Sequence, residues 1–410
     1  MLGALRGDVA DGRGSRHADG ALSHRSRPRV RHWVWGAAIA LAVWSVGCAE
    51  PSAGIASPPP AAVLYVANGA DGTIARLDAA SGRPLGPPLP AGPAPWQVAA
   101  GDHRGLVVLA GGASPRLTHL VRAGGGWAAH PLRLEAGARG GLLSGDGAYA
   151  AAAYHVPAAD PTGAARCRLA LIDLRAGAIA RAFPACAPGD VLRALALEDR
   201  PGGPVAYLAL WRGPGPAGSG ALAGRSRLAA VHAATGAVLA VQPLAGVPAH
   251  VVLAPRPDGP GRRLVLVEAR GRAEPADTDE RQPPDVPSLG RWHLVTLDPE
   301  TLAPEAEFAV PHYPQGVAVA PDGRHAYWLA GPWTLGVPTP LLRTDLATGA
   351  TRLEAHVPGP GFGGLAVTAE RVYVPNPEGS EVSVLERRTG ALTGRIPVGR
   401  RPVGIALGGP

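Results

Sequence analysis

Few side chains in this sequence stand where they could do chemistry. Arg139 and Arg193 come first. A guanidinium presents a planar fork that grips carboxylate or phosphate through paired hydrogen bonds, and two forks converging on one spot would clamp a small anion. The competing reading is structural, with both arginines stacked on loops or paired with Glu198, Asp190 or Asp146. His250 offers an imidazole to a metal, but no second histidine lies at a motif-like spacing, so a hydrogen-bonded loop histidine is the alternative. Trp96, Gln97 and Gln315 add one aromatic surface and two amides. No local signature of a catalyst is present: no G-x-S-x-G elbow, no H-E-x-x-H, no Walker loop, no C-x-x-C-H and no C-x-x-C. No catalytic residue, resident metal or cofactor is therefore assigned.

Cys48, Cys167 and Cys186 are the three cysteines. Cys167 lies in CRLALID and Cys186 closes IARAFPAC, with the turn-like LRAGA between them. A hairpin folded about residue 176 puts Cys167 opposite position 185, so the two thiols lie near each other on neighbouring strands. An oxidising compartment would permit a disulfide; otherwise they are two buried thiols.

The N-terminus speaks for such a compartment. Arg27, Arg29 and Arg31 precede an apolar run of 14 residues from Trp33 to Val46, and Gly47-Cys48 follows. That run is shorter than the roughly 20 residues of a membrane-spanning helix and has the layout of an export signal. Gly47-Cys48 resembles the lipobox of bacterial lipoproteins, where the cysteine is acylated and becomes the first residue. That family prefers Leu three positions before the cysteine, where this chain has Ser45. Ordinary secretion and an uncleaved anchor are the alternatives. The expected organisation is a polar, basic extension over 1–31, a signal over 32–48, a Pro-rich tether over 49–62 and a folded domain over 63–410. The extension is long for a signal's leading region, so Val30 or Val34 competes as the true start. The chain is expected on the outer face of the cytoplasmic membrane through a lipid on Cys48, or free in the periplasm or medium.

Gly (57) and Pro (45) form about a quarter of the chain, yet 46% of residues are hydrophobic, in short runs. That combination gives many short strands separated by turns. The net charge is +7, of which +4 (seven Arg against three Asp) sits in residues 1–47. The remainder is too weak and scattered for a nucleic-acid footprint.

Two segments repeat one plan: VLYVANGADGTIARLDAASGRPLGPPLPAGPAPWQVA (63–99) and VYVPNPEGSEVSVLERRTGALTGRIPVGRRPVGIA (372–406). Each runs through a strand with Asn, a polar loop, an alternating strand, a turn with Gly, a strand, a Gly-x-x-Pro approach and an apolar strand. The words YVAN (65–68), YVPN (373–376), IPVGRRPVGIA (396–406) and VAVAPDGRHAYW (317–328) resemble the YVTN repeat family of β-propellers. The likeness covers about 63–410. Seven apolar strands follow such approaches, near Val98, Gly141, Leu195, Val251, Val317, Leu365 and Ile405, at intervals of 40 to 66 residues. Intervals near 40 to 50 fit a four-stranded blade. The expected fold is all-β, a seven-bladed β-propeller closed by pairing N- and C-terminal strands in one blade. Asp-Gly, Ser-Gly and Thr-Gly pairs fall between strands, where Gly supplies the positive φ of tight turns.

The resemblance implies a binding site at the central funnel, on the face of the B–C and D–A loops. Trp96, Gln97, Arg139, Arg193, His250 and Gln315 then fall at the starts of inner strands, on the funnel rim. The long B–C segments, His155–Arg166, Trp211–Ser226, Glu268–Arg291 and Gly331–Pro340, lie on the same face. The expected partner is a protein or small anionic ligand there, with the membrane engaged through the anchor, no nucleic acid, and a monomeric propeller. A binding module at the cell envelope is the leading reading. A lactonase-like hydrolase, a subunit resembling the quinoprotein amine dehydrogenase β-chain, and a structural envelope protein are the alternatives.

Overall fold

The computed structural model describes residues 62–101, 105–111, 114–157, 166–212, 226–272, 289–330, 337–359 and 364–408. The expected extension, signal and Cys48 lie outside these residues, as do nearly all of the tether and the middles of the four long B–C segments.

Blade 1 begins with β1 (Val63–Asn68), β2 (Thr73–Asp78) and β3 (Leu89–Pro90). Blade 2 is β4 (Pro95–Ala100), β5 (Gly105–Ala110), β6 (Arg116–Ala123) and β7 (Gly126–Leu132), and blade 3 is β8 (Arg139–Asp146), β9 (Tyr149–Val156), β10 (Arg166–Asp173) and β11 (Ala178–Pro184). Blade 4 is β12 (Asp190–Glu198), β13 (Val205–Arg212), β14 (Ser226–His232) and β15 (Ala237–Leu244). Blade 5 is β16 (Val247–Pro255), β17 (Arg262–Arg272), β18 (Leu289–Leu297) and β19 (Pro304–Val310). Blade 6 is β20 (Pro314–Val319), β21 (His325–Ala330), β22 (Thr339–Asp345) and β23 (Thr351–Val357). Blade 7 is β24 (Ala366–Val367), β25 (Arg371–Asn376), β26 (Glu381–Glu386) and β27 (Leu392–Pro397). The last strand, β28 (Pro402–Gly408), returns to blade 1 and pairs antiparallel with β1, from Val63↔Gly408 to Asn68↔Pro402. All seven sheets are four-stranded, and the domain is a seven-bladed β-propeller closed by its terminal strands.

The sequence pattern explains why the blades must stack. VLYVAN is buried at every position, so both faces of β1 are covered. Leu64 and Val66 pack toward blade 7, while Val63, Tyr65 and Ala67 pack toward blade 2. The same division holds around the ring. There are seven apolar clusters among the described residues, each shared by two adjacent blades. No blade owns a core, so each depends on both neighbours for the burial of its apolar surface.

Turns and bolts repeat with the blades. Asp78, Asp173, Asp298 and Asp345 each accept main-chain N–H bonds from residues two or three further on, in the turn before the outer strand. These bonds hold the carboxyls of Asp298 and Asp345 below the usual range, and the Ser81 hydroxyl does the same for Asp78, helped by its N–H. Gly82, Gly177, Gly236, Gly349 and Gly390 end such turns at φ between 63° and 79°, a conformation Gly adopts without steric cost. Three tyrosines on second strands reach across to the matching turn of the next blade: Tyr207 to Pro299 O, Tyr327 to Arg387 O and Tyr373 to Ala79 O. Cys167 and Cys186 are joined as a disulfide with Cα atoms 5.6 Å apart. The hairpin register puts Cys167 opposite Ala185, whose N–H donates to Cys167 O.

Candidate functional site

The seven inner strands, β4, β8, β12, β16, β20, β24 and β28, each touch the inner strands on both sides and ring a central channel. Their inner edges carry main-chain groups with no strand to pair with. Side chains from adjacent blades answer several of them. Gln97 Oε1 accepts from Leu143 N at 2.8 Å, Ser144 Oγ from Leu197 N at 3.0 Å, and Asp146 Oδ2 from Asp199 N at 2.9 Å. His250 Nε2 lies 2.8 Å from Pro314 O and must donate to it. Gln97 and His250, nominated as rim residues, are thus bolts between blades.

Each described inner strand except the two-residue β24 carries a register shift near its start. One residue is left opposite nothing and is aimed differently from the ladder. These extra residues are Trp96, Arg193, Ala249, Gln315 and Val403, with Gly140-Gly141 spanning the shift in blade 3. Arg193 and Gln315 therefore occupy equivalent places on the rim. Arg139 does not. It pairs with His155 and stands where five other blades have Pro95, Leu192, Pro248, Pro314 and Pro402, one residue ahead of the bulge. Those five residues are buried, whereas Arg139 is exposed.

The carboxylates suggested as partners for the two arginines are taken by others. Asp190, whose side chain is wholly buried, pairs with Arg212 and Arg227 and accepts from Ala187 N. Glu198 pairs with Arg200 and accepts from the Tyr207 hydroxyl. Asp146 takes a two-pronged pair from Arg262 of blade 5, at 2.6 and 3.1 Å. Arg193 has no carboxylate partner among the described residues.

Arg193 instead faces a neutral, half-buried group. Its charge acts on both His250 and Tyr313, which places the guanidinium at the junction of blades 4, 5 and 6. Burial, with Arg193 adding to it, lowers the His250 pKa; the bond to Pro314 O acts the other way. Burial raises the Tyr313 hydroxyl against the pull of Arg193. Tyr313 meets Trp292 edge to face, with ring centroids 4.8 Å apart, a favoured geometry for an aromatic pair. Across the ring, Trp96 buries its indole Nε1 without a partner. Tyr313 and Trp292 were missed in the sequence. The available signal was HYPQG (312–316), an aromatic immediately before the proline that opens an inner strand. Glu268, read as a loop residue, lies within β17, is buried, and accepts from Gly246 N while pairing with Arg270.

The His250 shift has a consequence for stability. Its folded pKa lies below the ordinary 6.5, so the unfolded chain binds the proton more readily, and this stabilisation is complete above pH 6.5 and lost as pH falls through the folded value. Burial lowers His119, His155 and His325 in the same direction. The melting temperature should therefore fall between pH 7 and pH 5, before the carboxylates titrate. His250→Gln, which keeps a donor for Pro314 O, should flatten part of that slope. Calorimetry across this range checks it; a flat profile contradicts it.

No group of three or more His, Cys, Asp or Glu side chains placed to hold a metal occurs among the described residues. No family model matches the sequence, and no curated protein matches it. Solved structures share the fold. The chain is similar to a protein of Bacteroides uniformis provisionally named 6-phosphogluconolactonase, at 13% identity over 84% of this chain and 99% of that one, with a TM-score of 0.55. It is also similar to the hydrazine synthase of Kuenenia stuttgartiensis, at 15% identity over 81% and 94%, with a TM-score of 0.54. A third is the dihydro-heme d1 dehydrogenase NirN, at 16% identity over 85% and 75%, with a TM-score of 0.51. At these identities the likeness is one of fold.

Proposed function

We propose that this chain is an exported, lipid-anchored propeller of the YVTN type that serves as a binding module at the cell envelope, and that its channel mouth takes a small anion on Arg193. The observation that carries the anion reading is the state of that arginine: it sits at an inner-strand bulge beside His250 and Tyr313 and has no carboxylate partner among the described residues. A guanidinium in that position keeps its fork for a ligand. The aromatic pair Trp292–Tyr313 gives the ligand's carbon frame an apolar wall. The export and anchoring parts rest on the run from Trp33 to Val46 and on Gly47-Cys48, and the repeat assignment on YVAN, YVPN and IPVGRRPVGIA. A hydrolase would need a base at the mouth. His250 donates its Nε2–H to Pro314 O, which leaves only its Nδ1 for that role.

The test is calorimetric titration of the mature chain with phosphate, gluconate 6-phosphate and citrate, alongside mass spectrometry of its N-terminus. Arg193→Ala should weaken binding of the best ligand by about 1.5–3 kcal/mol, the worth of a charged hydrogen bond, and Arg193→Lys should recover only part. Equal binding by Arg193→Ala removes the anion reading. A mature chain that begins elsewhere than an acylated Cys48 removes the anchor.

A further inference from the structure

The turns at the other end of the blades, between first and second and between third and fourth strands, carry a second concentration of arginines. A cleft of about 780 Å³ opens there between blades 6 and 7. Its blade 6 wall is a cross-strand row, Tyr327 on β21, Arg343 on β22 and Arg352 on β23, paired in register as Tyr327↔Arg343 and Arg343↔Arg352. Its blade 7 wall is made by the two turns that carry Glu370 and Glu386–Arg388.

Two like charges directly opposite on neighbouring strands repel, and a wall serving stability alone would alternate its signs. Here one carboxylate answers both. Glu354, the extra residue at the β23 bulge, places Oε1 2.7 Å from Arg343 Nε and 2.6 Å from Arg352 Nε, with its side chain buried. It is the only carboxylate partner of either arginine among the described residues. The contact takes each guanidinium from its side. On the opposite wall Arg387 is held by Asp322 at 2.8 Å, but Arg388 is largely exposed and its nearest carboxylate, Glu386, is 3.6 Å away. Arg371 also borders the cleft, though its charge acts on Asp78 of blade 1 and on Tyr373 of its own strand. The cleft thus presents under-neutralised guanidinium groups from two facing walls. His325, at its edge, is held below its ordinary pKa first by burial and then by Arg343, with Asp322 and Asp345 opposing.

We propose that this cleft binds a small anion with two acidic groups, a polycarboxylate or a pyrophosphate-type compound, bridged between Arg343 and Arg352 of blade 6 and Arg388 of blade 7. One acidic group meets the paired arginines, and the other crosses to blade 7. An anion with one acidic group satisfies one wall only, so phosphate should bind more weakly than pyrophosphate. The site is independent of the channel mouth, which lies at the other ends of the inner strands.

The experiment uses the mature chain carrying Arg193→Ala, which silences the mouth. Citrate and pyrophosphate are titrated calorimetrically at physiological salt. One saturable site is expected, weakened roughly tenfold or more by Arg352→Gln with Arg388→Gln, both at exposed side chains whose loss should leave the melting temperature unchanged. Arg388→Glu alone should abolish the preference for pyrophosphate over phosphate. If neither probe binds, or if the double variant binds as the parent does, the cleft is a structural ion-pair network and the assignment fails.

Discussion

Removing Arg401–Pro410 is expected to destabilise the entire ring rather than trim a tail. β28 is the inner strand of blade 1, and its ladder with β1 is the main link between the end of the chain and its beginning, extended by Gly69 N to Arg401 O and Ala70 N to Arg400 O. Ile405 and Leu407 pack on the cluster shared by blades 7 and 1, and β28 also touches the inner strands β4 and β24 on either side. Deletion uncovers the inner edge of β1, where six residues lose their partners, and strips Ile405 and Leu407 from the cluster shared with blade 7. Two large apolar side chains and a ladder of hydrogen bonds amount to at least about 5 kcal/mol. For a domain of this size that is a fall in melting temperature of roughly 7 °C, with the transition losing cooperativity. Thermal unfolding of the truncated chain decides it. A single transition at the parent's temperature would show that the ring does not need its closing strand.

The second large effect is at the channel wall. A Cβ added to Gly316 would fall 2.7 Å from the Gly364 Cα, just ahead of the next inner strand, and one added to Gly404 would fall 2.5 Å from the Trp96 carbonyl oxygen. These are main-chain atoms, which cannot rotate away as a side-chain tip can. Gly316→Val should therefore force neighbouring inner strands apart and cost about 3 kcal/mol, the upper range for overpacking. Gly394→Val is the matched control. It sits on the outer strand β27 and meets nothing within 4 Å, so its cost should stay within about 0.5 kcal/mol. Denaturant unfolding of the two variants compares them directly. Equal stability would mean that the inner strands are not close-packed.

The fold was legible because the two end repeats keep every word of the unit. YVAN and YVPN fix the second strands, the Asn side chains then tie down the following turn, Asn68 to Thr73 and Asn376 to the Gly379 N–H, and IPVGRRPVGIA fixes the closing strand. The inner-strand starts were legible for the same reason, since a proline stands first or second in four of the seven inner strands, at Pro95, Pro248, Pro314 and Pro402. Arg139 was misplaced because the Gly140-Gly141 pair of blade 3 hides which residue forms the bulge. Trp292 on β18 meets Tyr313 in the connection from blade 5 to blade 6, a contact that no local spacing announces. The cleft between blades 6 and 7 was equally silent. Arg343 and Arg352 lie far along the chain from Arg388, and only the register of β22 with β23 sets the first two side by side.

The position of β1 in blade 1 also governs how the domain meets mechanical load. β1 lies between β28 and β2 and is hydrogen-bonded to both along its whole length. A pull on the chain ahead of Ala62, such as a tether would transmit, runs along the axis of β1. Both ladders then resist at once, in shear, instead of opening one bond after another as a peeled outer strand would. The domain should hold against steady tension on its leading segment and yield first at an outer edge such as the two-residue β3.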